Sequence, residues 1–200
     1  MSHYFTNDKN LVSNTKELVY KYSSFSFVFL SDNGVFSKKY IDYGSKLLLE
    51  TYLSVEDKPL KVLDVGCGYG FIGAVISVVN NSYVDMIDVN KRAVHLAKRN
   101  TKKLKGFTGS VFESDAYENV KDKYDVVITN PPIRVGKAKV LEILLESFSH
   151  MNDDGTLYFV IRKDQGALSI AKIIKENKCE IDVINKEKGY FIYKVKKIKF

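Results

Sequence analysis

The sequence of 200 residues predicts an α/β protein with a mostly parallel sheet, a reversed last strand and helices on both faces. Three features lead there. From about residue 60 onward, short apolar runs alternate with helical patterns, the spacing of strand–helix–strand units. One of these runs, ending at Val65, breaks on closely spaced glycines and passes straight into a helical pattern, as a ligand-binding strand-to-helix turn does. The last two β-rich runs, Ile181–Ile184 and Tyr190–Val195, are separated by a few polar residues and Gly189, which is hairpin spacing and too short for a crossover helix.

The elements follow in order. Phe25–Leu30 is an aromatic strand, Asn33-Gly34 a turn, and Tyr40–Leu53 an amphipathic helix. Residues 1–56 thus form a lead-in to the unit spanning 57–200, and no Pro/Gly/Ser linker separates the two, so the chain is expected to work as one domain. Strands are expected at Lys61–Val65, Tyr83–Asp88, Thr108–Glu113, Tyr124–Thr129 and Thr156–Ile161. Between them, Asn90 caps a helix with Ala93, Ala97, Asn100 and Leu104 on one face. A second helix buries Val140, Leu144 and Phe148, and a third Ala167, Ile170, Ala171 and Ile174.

Composition narrows the class. Apolar residues make up 45% and charged residues 28% of the chain, ordinary for a globular protein and unlike a disordered one. No apolar stretch approaches the roughly 18 residues of a membrane span, and Met1 to Asn10 is too polar for a signal peptide, so a cytoplasmic protein is expected. Cys67 and Cys179 are too few for a disulfide framework, and neither has Cys or His at metal-ligand spacing, so no metal is expected. The net charge of +7 is unevenly placed: seven basic and no acidic residues lie from Lys91 to Lys105, and six lysines against Glu187 lie from Lys186 to Lys199. The two segments read either as solvated lysines on a helix and an edge strand or as a surface facing phosphates such as those of RNA, so the charge suggests an anionic partner without identifying it, and the oligomeric state stays open.

The segment from Leu63 to Gly73 carries the clearest chemistry. Glycine permits positive φ and close backbone approach, and the helix behind it supplies unpaired N–H groups. Gly68 to Gly73 satisfies the dinucleotide pattern G-x-G-x-x-G, but Asp64, two residues before Gly66, would repel the pyrophosphate of NAD. The sulfonium and ammonium of S-adenosylmethionine would instead be attracted. Asp88 ends the next strand, 22 residues past Gly66, where an acid reaches ribose hydroxyls, and Asp115 follows the third strand, where a side chain meets an adenine edge. Cys67 reads as a small residue in a tight turn, since His95, mid-helix, is no partner for a nucleophile.

After the fourth strand comes Asn130-Pro131-Pro132-Ile133. Two prolines delete two N–H donors and stiffen the backbone, so the carbonyls of Asn130 and Pro131 are held outward as acceptors suited to a nucleophile bearing N–H bonds.

Asp64-Val65-Gly66-Cys67-Gly68-Tyr69-Gly70 resembles motif I of the class I S-adenosylmethionine-dependent methyltransferases, and Asn130-Pro131-Pro132 resembles their amino-methylating motif IV. Gly34-Val35-Phe36-Ser37, with Asp42, Gly44, Ser45 and Leu47-Leu48-Leu49, is similar to the segment ahead of motif I in the small-subunit ribosomal RNA guanine-N2 methyltransferases of the C type; Arg134 and Lys163 to Ala167 resemble their single-domain branch. The resemblance implies a Rossmann-like, seven-stranded sheet, S-adenosylmethionine as donor and a guanine N2 amine as acceptor. It implies that Asp64, Gly66, Cys67, Gly68 and Gly70 surround the methionine moiety, Asp88 binds the ribose with Val89 also at the cofactor, and Asp115 and Ala116 meet the adenine. Phe36 and Asn130 also border the donor, while Asn130, Pro131, Pro132 and Ile133 meet the target amine. Many amino-methyltransferases have an aromatic where this chain has Ile133, which leaves base stacking to another residue such as Phe36; the two-domain enzymes carry an N-terminal domain without counterpart in these 200 residues. A protein glutamine amide is the alternative acceptor, and an NAD-binding domain the alternative from another class.

Overall fold

The computed structural model describes residues 12–177 and 179–198. Two antiparallel strands, β1 (Lys16–Tyr22) and β2 (Phe25–Ser31), form a hairpin ahead of helix α1 (Tyr43–Val55). The main sheet comprises β3 (Lys61–Val65), β4 (Tyr83–Asp88), β5 (Val111–Glu113), β6 (Tyr124–Thr129), β7 (Met151–Arg162), β8 (Cys179–Glu187) and β9 (Tyr190–Lys197). Its order is β5-β4-β3-β6-β7-β9-β8, with β9 antiparallel to both neighbours and the other pairings parallel. Helices α2 (Phe71–Asn80), α3 (Lys91–Lys102), α4 (Lys137–Glu146) and α5 (Ala167–Glu176) make the crossovers.

Strand alternation divides the core into two layers. Val62, Val126, Ile128, Tyr158 and Val160 pack with α1, α2, α3 and the β1–β2 hairpin. Leu63, Val65, Val127, Leu157, Phe159 and Ile161 face the opposite way, onto α4 and α5. The lead-in shares the first layer, because Leu18, Tyr20, Phe27 and Phe29 from the hairpin join the same cluster as Leu48, Leu49 and Tyr52 of α1. Phe29 is fully buried, so its truncation to alanine costs about 3–5 kcal/mol.

Several boundaries differ from the sequence reading. The hairpin has a first strand, β1, absent from the sequence reading, in which buried Leu18 and Tyr20 alternate with exposed Glu17, Val19 and Lys21; exposed Val19 blurs the apolar–polar alternation. The helix expected from Tyr40 begins at Tyr43 because the Asp42 carboxylate accepts the N–H of Ser45 and caps it there. The strand expected from Thr108 is reduced to Val111–Glu113, with Thr108 only bridging Tyr83. Gly109 is the reason: its φ is 139°, and a Cβ there would lie 1.9 Å from the Val84 carbonyl oxygen. β7 starts at Met151 rather than Thr156, the extra residues entering through an irregularity in the β6 register. Leu104 and Phe148 lie just past the ends of α3 and α4. No helix among the described residues is long and apolar enough to cross a membrane.

Candidate active site

The carboxyl ends of β5, β4, β3 and β6 stand side by side and carry, in that order, Asp115-Ala116, Asp88-Val89, the glycine loop from Gly66 to Gly70, and Asn130 to Ile133. All four sequence-predicted groups therefore share one sheet edge, where ligands of open α/β sheets bind. Val65 of β3 lies opposite Thr129 of β6, and the Thr129 hydroxyl donates to the Val65 carbonyl at 2.8 Å, so the glycine loop and the Asn-Pro-Pro turn leave the sheet as neighbours.

The glycine loop is held from below. The N–H groups of Gly66 and Cys67 both donate to the Ile87 carbonyl at 2.9 Å, and that of Gly70 to the Cys67 carbonyl. Gly66, Gly68 and Gly70 have φ of 72°, 58° and 90°, the left-handed region that side chains resist. A Cβ at Gly66 or Gly68 would have nothing within 4 Å, whereas one at Gly70 would press on Ala97 of α3 at 3.1 Å. The open space above Gly66 and Gly68 forms a cradle at the sheet edge, and Gly70 serves helix packing.

Two buried acids shape this cradle. Asp88 accepts the N–H of Gly68 at 2.9 Å through Oδ2 and that of Asn90 at 2.8 Å through Oδ1, fixing the loop to the start of α3. Asp64 lies within β3 on the α2 side, 1% exposed, and its Oδ2 accepts the Gly73 N–H at 2.8 Å. Burial pushes the Asp64 carboxyl up to about 7, and the nearby Asp88 charge adds to this against the Gly73 hydrogen bond. The acid expected beside the ligand thus acts from beneath the loop. Cys67 is buried, and burial with the two Asp charges raises its thiol well above the ordinary range, the opposite of what a nucleophile needs.

Further along, Asp115 is exposed in the turn after β5, and Ala116 takes a φ of 43° beside it. Phe36 is 47% exposed in the loop between β2 and α1. That loop is tied to the site by Asn90, which caps α3 with Oδ1 and donates from Nδ2 to the Gly34 carbonyl at 2.9 Å. Asn100, 1% exposed, accepts the Leu30 N–H and donates to the carbonyls of Leu30 and Tyr69, docking β2 against the glycine loop. Sequence reasoning placed Asn100 only among the apolar positions of α3; an amide on an otherwise apolar helix face was the signal for this role.

At Asn130 the polarity reverses. The carbonyls of Pro132 and Ile133 accept the N–H groups of Val135 and Gly136 in a short 3₁₀ turn, Ile133–Val135, while those of Asn130 and Pro131 accept no hydrogen bond from the described residues. The Asn130 amide donates to Asp42 Oδ2 at 3.0 Å and to Ser45 Oγ at 2.8 Å, and its oxygen accepts no hydrogen bond from the described residues. Asp42 and Ser45 came to notice in the sequence only through their resemblance to a family segment. Ile133 is half-buried.

Residues 26–194 match the family described as methyltransferase small domain. The chain belongs to that family. This methyltransferase small domain is 40% identical over 200 residues to the uncharacterized protein YbxB of Bacillus subtilis, 98% of each chain being covered. It is 36% identical over 169 residues to ribosomal RNA small subunit methyltransferase C of Vibrio vulnificus, covering 82% of this chain and 48% of that protein, and so spans about half the length of such relatives. Its fold superimposes with a TM-score of 0.81 on the T. thermophilus 16S rRNA N2 G1207 methyltransferase in complex with AdoMet and guanosine, at 20% identity over 94% of this chain and 52% of that one. The Rossmann-like architecture and the methyltransferase family therefore stand, and the family match speaks against the NAD-binding alternative.

The two basic segments lie on opposite flanks of the sheet. Helix α3 begins at the site edge and runs away from it, so Lys98 and Lys102 border a depression of about 540 Å³ with Gly109 and Val111 at the far edge. Near the site, Lys91 pairs with Glu113 at 3.8 Å and Arg92 with Asp32 at 3.5 Å. In the last hairpin Tyr190 is opposite Arg162, which puts Lys186 and Lys188 at the site edge, while Lys194 pairs with Glu56 at 3.1 Å and Lys196 and Lys197 continue away from the site. Lys199 lies outside the described residues.

Proposed function

We propose that this protein transfers a methyl group from S-adenosylmethionine to the exocyclic N2 amine of a guanine in RNA, the ribosomal small subunit being the source its relatives' names indicate. The observation that supports this most is the row of unused acceptors, the Asn130 side-chain oxygen and the Asn130 and Pro131 carbonyls, beside the glycine cradle. When bound, the donor supplies an electrophilic methyl group on a positively charged sulfur. Gly66 and Gly68 leave it room, Asp88 sets the loop and stands at the ribose position, and Asp115 with Ala116 stands at the adenine position.

A guanine amine is a poor nucleophile because its lone pair is delocalised into the ring. Asn130 Oδ1 and the Pro131 carbonyl accept its two N–H bonds, favouring a pyramidal nitrogen whose lone pair faces the donor. With the donor bound, Asn130 and Pro131 would hold the amine in line with its methyl group, and the methylated nitrogen would give up one proton to water. Positioning supplies the rate enhancement.

Exposed Arg134, Lys137, Lys163 and Lys188 follow the strands at this edge, with Lys186 near the end of β8 beside them, and favour a polyanionic substrate over a glutamine side chain. Incubation with labelled donor and total RNA, ribosomal subunits or ribosomal protein in parallel tests the reading. Label recovered as N2-methylguanosine after nuclease digestion is expected. Label confined to protein glutamine would overturn it.

A further inference from the structure

The Asp42-Tyr43-Gly44-Ser45 segment at the start of α1 has no part in donor binding as described above, yet it meets the acceptor turn. Asp42 Oδ2 takes two hydrogen bonds, one from the Ser45 N–H at 2.8 Å, capping α1, and one from Asn130 Nδ2 at 3.0 Å. Ser45 Oγ accepts the second Asn130 N–H at 2.8 Å and is itself in a residue only 9% exposed. The contacts join residues 88 and 85 positions apart in the chain. Gly44 lets this corner close, because a Cβ there would stand 2.8 Å from the Tyr190 ring and 3.2 Å from Asp42 Oδ2.

The chemistry of the partners decides which way the amide faces. A carboxylate oxygen accepts and cannot donate, so the amide nitrogen must turn toward Asp42 and the oxygen away from it. An Asn130 amide turned the other way would bring two N–H donors against the N–H bonds of the substrate amine and remove the acceptor on which the proposed function depends.

We propose that Asp42 and Ser45 are positioning residues for methyl transfer: by holding both N–H bonds of the Asn130 amide they present its oxygen to the substrate amine. This rests on the reading of Asn130 given above. Neither residue touches the reacting atoms, and neither is expected to alter donor affinity.

Asp42→Ser separates this role from helix capping. Serine is a good N-cap, so α1 keeps its start, but its hydroxyl is one bond too short to reach the Asn130 amide as well. Asp42→Asn keeps an oxygen at the original reach. With RNA as acceptor, Asp42→Ser should lower kcat between about tenfold and a hundredfold, the cost of a misplaced reacting partner, with donor KM unchanged. Asp42→Asn should restore most of that loss. Ser45→Ala, which leaves the cap in place, should give a smaller loss of roughly threefold or more and keeps the test available if Asp42→Ser does not fold. In an Asn130→Ala background Asp42→Ser should have no further effect on kcat, since there is no amide left to orient.

A second readout does not depend on the acceptor. The side-chain amide protons of Asn130, identified in ¹⁵N-edited spectra by their loss in Asn130→Ala, should move toward free-amide positions in Asp42→Ser and Ser45→Ala. Unmoved resonances, full activity of Asp42→Ser, or an equal further loss in the Asn130→Ala background would each overturn the proposal. If the wild-type protein methylates no RNA while the resonances move as expected, the RNA reading fails and the clamp stands.

Discussion

Two turns leave neighbouring strands at the same edge of the sheet and are built from opposite chemistry. The turn after β3 is made of glycines, with left-handed φ at Gly66, Gly68 and Gly70, and a Cβ at Gly66 or Gly68 would have nothing within 4 Å. The turn after β6 is made of prolines, and its open groups are carbonyl and amide oxygens. Glycine opens space and proline removes donors, which is why the proposed function assigns the donor to the first turn and the N–H nucleophile to the second. What supports each differs as well: buried acids lie beneath the first, and α1 holds the second from the side.

The sharpest way to break this division is Asn130→Ala. Methyl transfer should fall by about two orders of magnitude or more while calorimetric affinity for S-adenosylmethionine stays nearly intact, because a polar group has been taken from the reacting centre and not from the donor cradle. Donor binding lost in proportion to activity would place Asn130 in the cradle and erase the contrast. Asp88→Ala is the counterpart on the glycine side. It should weaken the donor by roughly 1–3 kcal/mol, through the loss of a charge-assisted hydrogen-bonding group and of the contact that shapes Gly68. A folded variant with unchanged affinity would separate Asp88 from the ligand.

A pH titration sharpens the role of the acid beneath the loop. Because the folded-state value of Asp64 is raised to about 7, the folded protein holds a proton that the unfolded chain releases as pH climbs from the usual carboxylate range toward 7. The Asp64 contribution to stability is therefore fullest below that range and declines through this window. A cationic donor favours the ionised form, so its affinity should rise by up to about tenfold per pH unit below 7 and level off above it. Asp64→Asn should flatten both profiles, followed by thermal unfolding and by calorimetry. Profiles identical to wild type would assign the raised acid no part in either.

The smallest effect concerns the two ends of the last hairpin. Lys188→Ala, at the site edge, should flatten the dependence of log RNA affinity on log salt by about one unit, whereas Lys197→Ala, at the far end, should leave the slope nearly unchanged. Equal slopes for the two variants would mean that RNA follows the whole hairpin instead of the site edge.

Local chemistry made much of this molecule legible in its sequence. The apolar runs at Lys61–Val65, Tyr83–Asp88 and Tyr124–Thr129, the Asn90 cap, the glycine turn and the reversed last strand are all encoded by residues close together in the chain, and all are found where expected. Shorter or irregular elements were less legible: Gly109 truncates β5 through contact with Val84, 25 residues earlier, and the register irregularity at the start of β7 depends on its pairing with β6. Periodicity and turn preference are local, so the sheet, its reversed last strand and the groups along its carboxyl edge could be read from neighbouring residues alone. The tertiary structure alone decided that Asp64 lies beneath the loop, that the basic segments part to opposite flanks, and that Asp42 and Ser45 take hold of Asn130. Those outcomes depend on which distant side chains share a buried corner, and only the packing of α1, the loop and β6 against one another brings them together.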